Sequence, residues 1–145
     1  MATIMRKMNV ISRCEALYRT QESNEKLPGL YHSYVLAICR KPGMTQDTLA
    51  HDLCISKSSV ARHLAVLEKD GYITRTPGEE DRRELLVYPT KKMQDIHPDV
   101  VSITRKWNAL LAEGFSEEEL RLFHDILDKM FDKSIEIAYA GGVPR

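Results

Sequence analysis

The sequence predicts a mainly α-helical fold with one small β-hairpin, and three observations carry that prediction. Apolar residues recur at helical spacing over most of the chain, and two of the helical stretches are joined by a turn of about four residues around Leu53 to Ile55. After Gly71 the pattern switches to two short β-prone runs separated by a charged turn. A chain of 145 residues allows one compact domain, and 43% hydrophobic residues with only 7 Gly and 6 Pro supply a core and exclude a disordered or collagen-like polymer.

Ile4, Met8, Ile11 and Tyr18, with Glu15 as one polar break, define a first helix that ends by Ser23. Asn24 to Gly29 is a connector. Tyr31, Tyr34, Val35 and Ile38 then mark a second helix, stopped at Lys41-Pro42-Gly43. Thr45 is placed to cap a short third helix with Leu49 and Ala50 inward, and Ser56 to cap a fourth, whose Val60, Leu64 and Leu67 form one face until Gly71. Tyr72 to Arg75 and Leu85 to Tyr88 are β-prone, so Pro77 to Arg83 becomes a charged hairpin tip. Pro89 closes the hairpin. Thr90 is placed to cap a long helix carrying Ile96, Val100, Ile103, Trp107 and Leu111, with a kink expected at Pro98. Ser116, with Glu119 three residues on, has the spacing of a capping box; Leu120, Phe123, Leu127, Met130 and Ile137 follow as an apolar stripe widened by Ile126 and Phe131.

Several function classes drop out. The longest apolar run, Tyr34 to Cys39, is far below the ~20 residues a membrane-spanning helix needs, and the N-terminus lacks the apolar stretch of a secretory signal, so a cytoplasmic protein without a membrane partner is expected. Cys14, Cys39 and Cys54 are odd in number and widely spaced, which predicts reduced thiols packed in the core. His51 and Cys54 give at most two metal ligands, with no third at a telling spacing; neither a metal nor any other cofactor is expected. No nucleophile elbow, phosphate loop or HExxH is present, and the chain reads as a non-enzyme. Trp107 and Phe115 are expected to pack at a junction between helices.

Net charge is zero, yet the charge is uneven. Residues 1–39 carry five basic and three acidic side chains, residues 40–92 ten and eight, and residues 93–145 six and ten. The middle is mildly basic and the C-terminal end acidic. The order helix, turn, helix, hairpin is that of a winged helix-turn-helix, and the residues that would meet DNA suit it. Ser56, Lys57, Ser58 and Ser59 crowd a helix N-terminus, where short hydroxyls and backbone N–H groups favour phosphate. One turn on, Arg62 and His63 are expected to point away from the Val60, Leu64 and Leu67 face, where an Arg can donate twice to a guanine edge. At the hairpin tip Arg82 and Arg83 follow Asp81, whose carboxylate is close enough to orient a guanidinium toward a minor groove.

The residues Gly43-Met44-Thr45-Gln46, Leu49-Ala50, Ser56-Lys57-Ser58-Ser59-Val60, Leu67-Glu68-Lys69-Asp70-Gly71-Tyr72-Ile73, Asp81-Arg82-Arg83 and Thr90-Lys91-Lys92, in that order, resemble the MarR family of bacterial transcription regulators. The resemblance covers about residues 30–92 by motif, and flanking helices such as the one starting Ser116-Glu117-Glu118-Glu119-Leu120 extend it over nearly the whole chain. It implies a homodimer whose terminal helices intertwine, two winged-helix lobes on a pseudo-palindromic operator in double-stranded DNA, and release by a small-molecule effector or oxidant. It also implies that Lys57, Ser58, Ser59 and Arg62 lie on the recognition helix and that Asp81 orients Arg83. The sequence departs from the family pattern at Pro89, usually Leu, at Met93, usually Gly, and at Cys54, in a turn where Gly is frequent.

Residues 1–40 are accordingly assigned to scaffold and dimerisation, 41–90 to the DNA-binding lobe and 91–145 to dimerisation, within one intertwined domain per chain. Cys14, with Tyr31 and Tyr34 after the connector, is similar to the organic-peroxide-sensing branch of that family, in which tyrosines hold a first-helix thiolate; a buried structural Cys14 is the competing reading. The resemblance implies a transcription regulator acting as a repressor; the alternative is a winged-helix module that docks a protein and has no specific DNA site.

Overall fold

The structure, a computed structural model, describes residues 1–24 and 27–140; Glu25 and Lys26 of the expected connector lie outside the described residues. Helix α1, Ile4–Glu22, begins at Thr3, whose hydroxyl accepts from the Arg6 backbone N–H at 3.2 Å. None of its residues is buried: Ile4, Met5, Val10, Ile11 and Leu17 are exposed, and Tyr18 stacks on Trp107 at 5.3 Å between ring centroids. A short 3-10 helix, Gly29–Tyr31, leads into α2, His32–Arg40. It is stapled to α1 by Thr20, whose hydroxyl donates to the Ala16 carbonyl at 2.9 Å and accepts from the Gly29 N–H at 2.7 Å.

Strand β1, Met44–Thr45, precedes α3, Gln46–Asp52, and the turn to α4, Lys57–Lys69. Strands β2, Ile73–Pro77, and β3, Leu85–Pro89, form the hairpin, and the antiparallel sheet runs β1-β3-β2 with Met44 opposite Val87 and Arg75 opposite the same residue on the other side. Sequence reading missed β1, because two residues are too few to show alternation. Thr45 and Ser56 cap α3 and α4 as expected, accepting from Thr48 and Ser59 N–H groups. Thr90 joins the end of the hairpin to α5, Lys91–Ala112: its hydroxyl donates to the Gly71 carbonyl at 2.6 Å and lies 3.4 Å from the Met93 N–H.

The core gathers one face from each of α2 to α5 and from the sheet: Tyr34, Val35 and Ile38 of α2, Leu49 of α3, Val60, Leu64 and Leu67 of α4, Ile73 and Val87 of the sheet, and Met93 and Val100 of α5. Each such side chain contributes roughly 1.5–3 kcal/mol on leaving water. Met93, a departure from the family pattern, is fully buried here.

The chain divides into two compact units, Met1–Trp107 and Asn108 onward, with the boundary inside α5. The second unit turns at Gly114, φ 85°, and enters α6, Glu117–Ala138, through the expected capping box: Ser116 accepts from the Glu119 N–H at 3.2 Å, and the Glu119 carboxylate accepts from the Ser116 N–H at 2.8 Å. No residue of α6 is buried, and Leu122, Phe123, Ile126, Phe131 and Ile137 are exposed. Two expectations are corrected. Cys14 and Cys54 are exposed rather than in the core, Cys14 on α1, none of whose residues is buried, and Cys54 in the turn after α3; Phe115, just before α6, is exposed rather than packed. Among the described residues no helix is long and apolar enough to cross a membrane.

Candidate nucleic-acid interface

The turn between α3 and α4 sets the angle of the exposed helix tip. Cys54 adopts φ 52°, the Ile55 N–H donates to the Ala50 carbonyl at 3.0 Å and the Cys54 N–H to the His51 carbonyl at 3.1 Å, which is a Schellman arrangement. Gly71 plays the same part after α4, with φ 81°, Tyr72 N–H on the Leu67 carbonyl and Gly71 N–H on the Glu68 carbonyl. Lys92 completes that end, its ammonium 2.8 Å from the Asp70 carbonyl and over the Tyr72 ring.

At the tip itself Ser56, Lys57 and Ser58 are exposed and Ser59 half-buried. Ser56 Oγ lies 2.9 Å from Ser59 Oγ, and Arg62, also exposed, donates to Ser59 Oγ at 3.1 Å. Lys57 reaches sideways to Asp47 of α3, Nζ to carboxylate 3.1 Å. The tip therefore presents hydroxyls, one tethered lysine and one tethered arginine on the face opposite Val60, Leu64 and Leu67.

At the hairpin tip Gly78 N–H and Glu84 carbonyl close the loop at 2.8 Å. The Asp81 carboxylate accepts from the Arg83 backbone N–H at 3.0 Å, from Nε at 3.2 Å and from Nη2 at 3.3 Å. Those bonds hold the Asp81 carboxyl below the usual carboxylate range. The Arg83 side chain is still 92% exposed, so Asp81 fixes its direction and leaves its outer edge open. Arg82 is exposed and forms no ion pair with the described residues.

His63 is a correction. It does not point away with Arg62; it is half-buried, with Nδ1 2.6 Å from the Tyr34 hydroxyl and its ring edge-on to Tyr34 and Tyr31 at 5.5 and 5.9 Å. The signal lay in the spacing: His63 stands four residues before Leu67 and so on the rim of the buried face. The Tyr34 hydroxyl is taken by His63, and among the described residues no hydrogen bond joins the exposed Cys14 to either tyrosine.

Sequence reading also missed a polar cluster inside the first unit. His32 is fully buried, and among the described residues neither ring nitrogen has a side-chain hydrogen-bond partner; the Arg19 Nε is likewise buried without one, while its Nη2 pairs with Glu15. Burial lowers the His32 pKa and the Arg19 charge pushes the same way, against smaller pulls from the Leu27 backbone and Asp99.

The MarR family model matches residues 32–85, which is the stretch from α2 to the start of β3. The uncharacterized HTH-type transcriptional regulator YwoH of Bacillus subtilis is 32% identical over 116 residues, covering 77% of this chain and 83% of YwoH. The chain belongs to the MarR family. It is thus a winged-helix transcriptional regulator, not an enzyme. Among solved structures, a SlyA-like transcription regulator from Listeria monocytogenes superposes on this MarR-family chain with TM-score 0.89 at 27% identity, covering 100% of this chain and 99% of that one. A MarR-family regulator from the same organism, solved in complex with 26mer DNA, gives 0.84 at 26% identity over 100% and 99% of the two chains. In this fold the exposed serine tip lies at the start of α4 and Arg83 at the tip of the β2–β3 hairpin.

Proposed function

We propose that this MarR-family chain is a homodimeric, sequence-specific repressor that places the α4 tip in a major groove and the wing in the neighbouring minor groove of a pseudo-palindromic operator. The observation that carries this reading is Arg83, 92% exposed at the wing tip yet held in one direction by three hydrogen bonds to Asp81. An arginine merely solvated on a turn has no need of that clamp. Ser56, Lys57, Ser58, Ser59 and Arg62 supply phosphate and base contacts at the helix tip. Residues 41–90 are the DNA-binding lobe in this reading, and residues 1–40 and 91–145 dimerise, which would cover the exposed apolar residues of α1 and α6. Two lobes then meet half-sites about 34–36 Å apart. A relative held on a 26mer duplex supports a site of that length.

Release by a small molecule is favoured over release by oxidant. His32 and Arg19 offer buried nitrogens without side-chain partners among the described residues, and Arg19 follows Tyr18, which stacks on Trp107, a setting for a small aromatic acid. Cys14 has no such setting.

The test is the salt dependence of binding to the DNA upstream of its own gene, with light scattering for the mass. A dimer is expected, and Arg83→Ala should weaken binding about tenfold, flattening the slope of log K against log salt by about 0.9 if a phosphate contact is lost. Wild-type affinity in Arg83→Ala, or a monomer that binds DNA as well as the dimer, would remove this reading in favour of a protein-docking module.

A further inference from the structure

The contact between α2 and the recognition helix has a chemical consequence for DNA reading. Tyr34 is fully buried, and its only hydrogen-bond partner among the described residues is Nδ1 of His63 at 2.6 Å. Burial, then Tyr31, raise the Tyr34 pKa to about 12, so the phenol keeps its proton and must place it. Nδ1 is the acceptor it has, and a neutral imidazole whose Nδ1 accepts carries its own proton on Nε2. With Nδ1 protonated the phenol oxygen would have to accept instead, leaving its own proton without an acceptor among the described residues. The groups that bear on the ring's charge are Arg62 on its own helix and Tyr34 and Tyr31 on the elements packed against it; burial, then Arg62, lower the His63 pKa.

We propose that Tyr34 is a positioning residue for DNA reading: by donating to Nδ1 it locks His63 as an uncharged ring with N–H at Nε2, a neutral hydrogen-bond donor beside the charged Arg62. The inference rests on the DNA-binding reading of α4. His63 follows Arg62 on α4 and is only half-buried, on the rim between the packed face and the face that carries Ser58 and Arg62. A neutral donor adds direction without a second cation, and binding then stays insensitive to pH through the range in which an ordinary histidine titrates.

The experiment combines nitrogen NMR of the histidine rings of the full chain, with His63 assigned from a His63→Gln variant, and affinity for a labelled upstream duplex between pH 6 and 8. The wild type should show the Nε2–H form and a flat affinity profile. Tyr34→Phe should mix the two tautomers, move the His63 pKa up toward its ordinary value, lower affinity at pH 8 by roughly threefold or more, and make affinity rise as pH falls to 6. His63→Gln, which keeps a neutral N–H donor in reach, should hold most of the affinity with no pH dependence, whereas His63→Ala should lose it. An Nδ1–H tautomer in the wild type, or equal affinities for His63→Gln and His63→Ala, would overturn the proposal even if Tyr34→Phe fails to fold. Specific binding by the wild type with an unchanged Tyr34→Phe profile overturns the positioning role alone; absence of duplex binding with the Nε2–H form intact overturns the DNA reading itself.

Discussion

Arg75 of β2 grips Glu68 of α4 through three hydrogen bonds, from its backbone N–H at 3.1 Å, Nε at 3.4 Å and Nη2 at 3.1 Å, and its Nη1 reaches Gln46 of α3 at 3.3 Å. One guanidinium thereby ties the wing to both helices of the helix-turn-helix. The orientation of the wing relative to the recognition helix depends on that tie as well as on the shared core.

Glu68→Gln should cost about 1 kcal/mol at pH 7, a part-exposed pair being screened by water; the Glu68 side chain is 41% exposed. The bonds from Arg75 hold the Glu68 carboxyl below its ordinary 4.5, so the stabilisation is present above that value and is lost as pH falls through the lowered folded-state value. Urea unfolding at pH 7 and pH 3 checks this: the gap between wild type and Glu68→Gln should be open at pH 7 and narrower at pH 3. A constant gap would mean that Glu68 acts through packing alone.

Gly29→Ala should be among the most damaging small substitutions in the chain. A Cβ at Gly29 would stand 2.1 Å from the Ala16 carbonyl oxygen and 2.9 Å from its carbon, both backbone atoms of α1. The 3-10 helix must then leave α1, breaking the bond from the Gly29 N–H to Thr20, at a cost of about 3 kcal/mol. Urea denaturation of Gly29→Ala beside Ala37→Gly, a change of similar size within α2, separates this clash from an ordinary loss of helix propensity.

Cys54→Gly should stabilise the fold. Cys54 occupies the left-handed position of the Schellman turn at φ 52°, where a side chain costs roughly 1–2 kcal/mol and glycine none, partly offset by glycine's freer unfolded chain. A net gain of about 1 kcal/mol, or roughly 4 °C in Tm, is expected by calorimetry. A lower Tm would show that contacts of the Cys54 side chain outweigh the backbone strain.

Local signals were legible because their partners are close in sequence. Thr45, Ser56 and Ser116 each cap the residue three positions on, and Asp81 reaches Arg83 two positions on, so spacing alone suffices to name them. The stripe Val60, Leu64 and Leu67 likewise announces the buried face of α4 and, by exclusion, the face that carries Ser58 and Arg62. The position of Cys54 was visible as a departure from a glycine, though only the backbone angle explains it.

What residue order determined by itself, then, is the succession of helices and hairpin, the exposed serine tip and the aspartate-guided arginine, since periodicity and capping act over a few residues. Tertiary structure alone decided that His63 turns to Tyr34, that Arg75 joins Glu68 to Gln46, and that Cys14 lies apart from the tyrosine hydrogen bonding. Tyr34 and His63 are 29 positions apart, as are Arg75 and Gln46. Such partners are chosen by how amphipathic elements pack, and no local pattern records which polar group on the rim of one buried face will find its match on another.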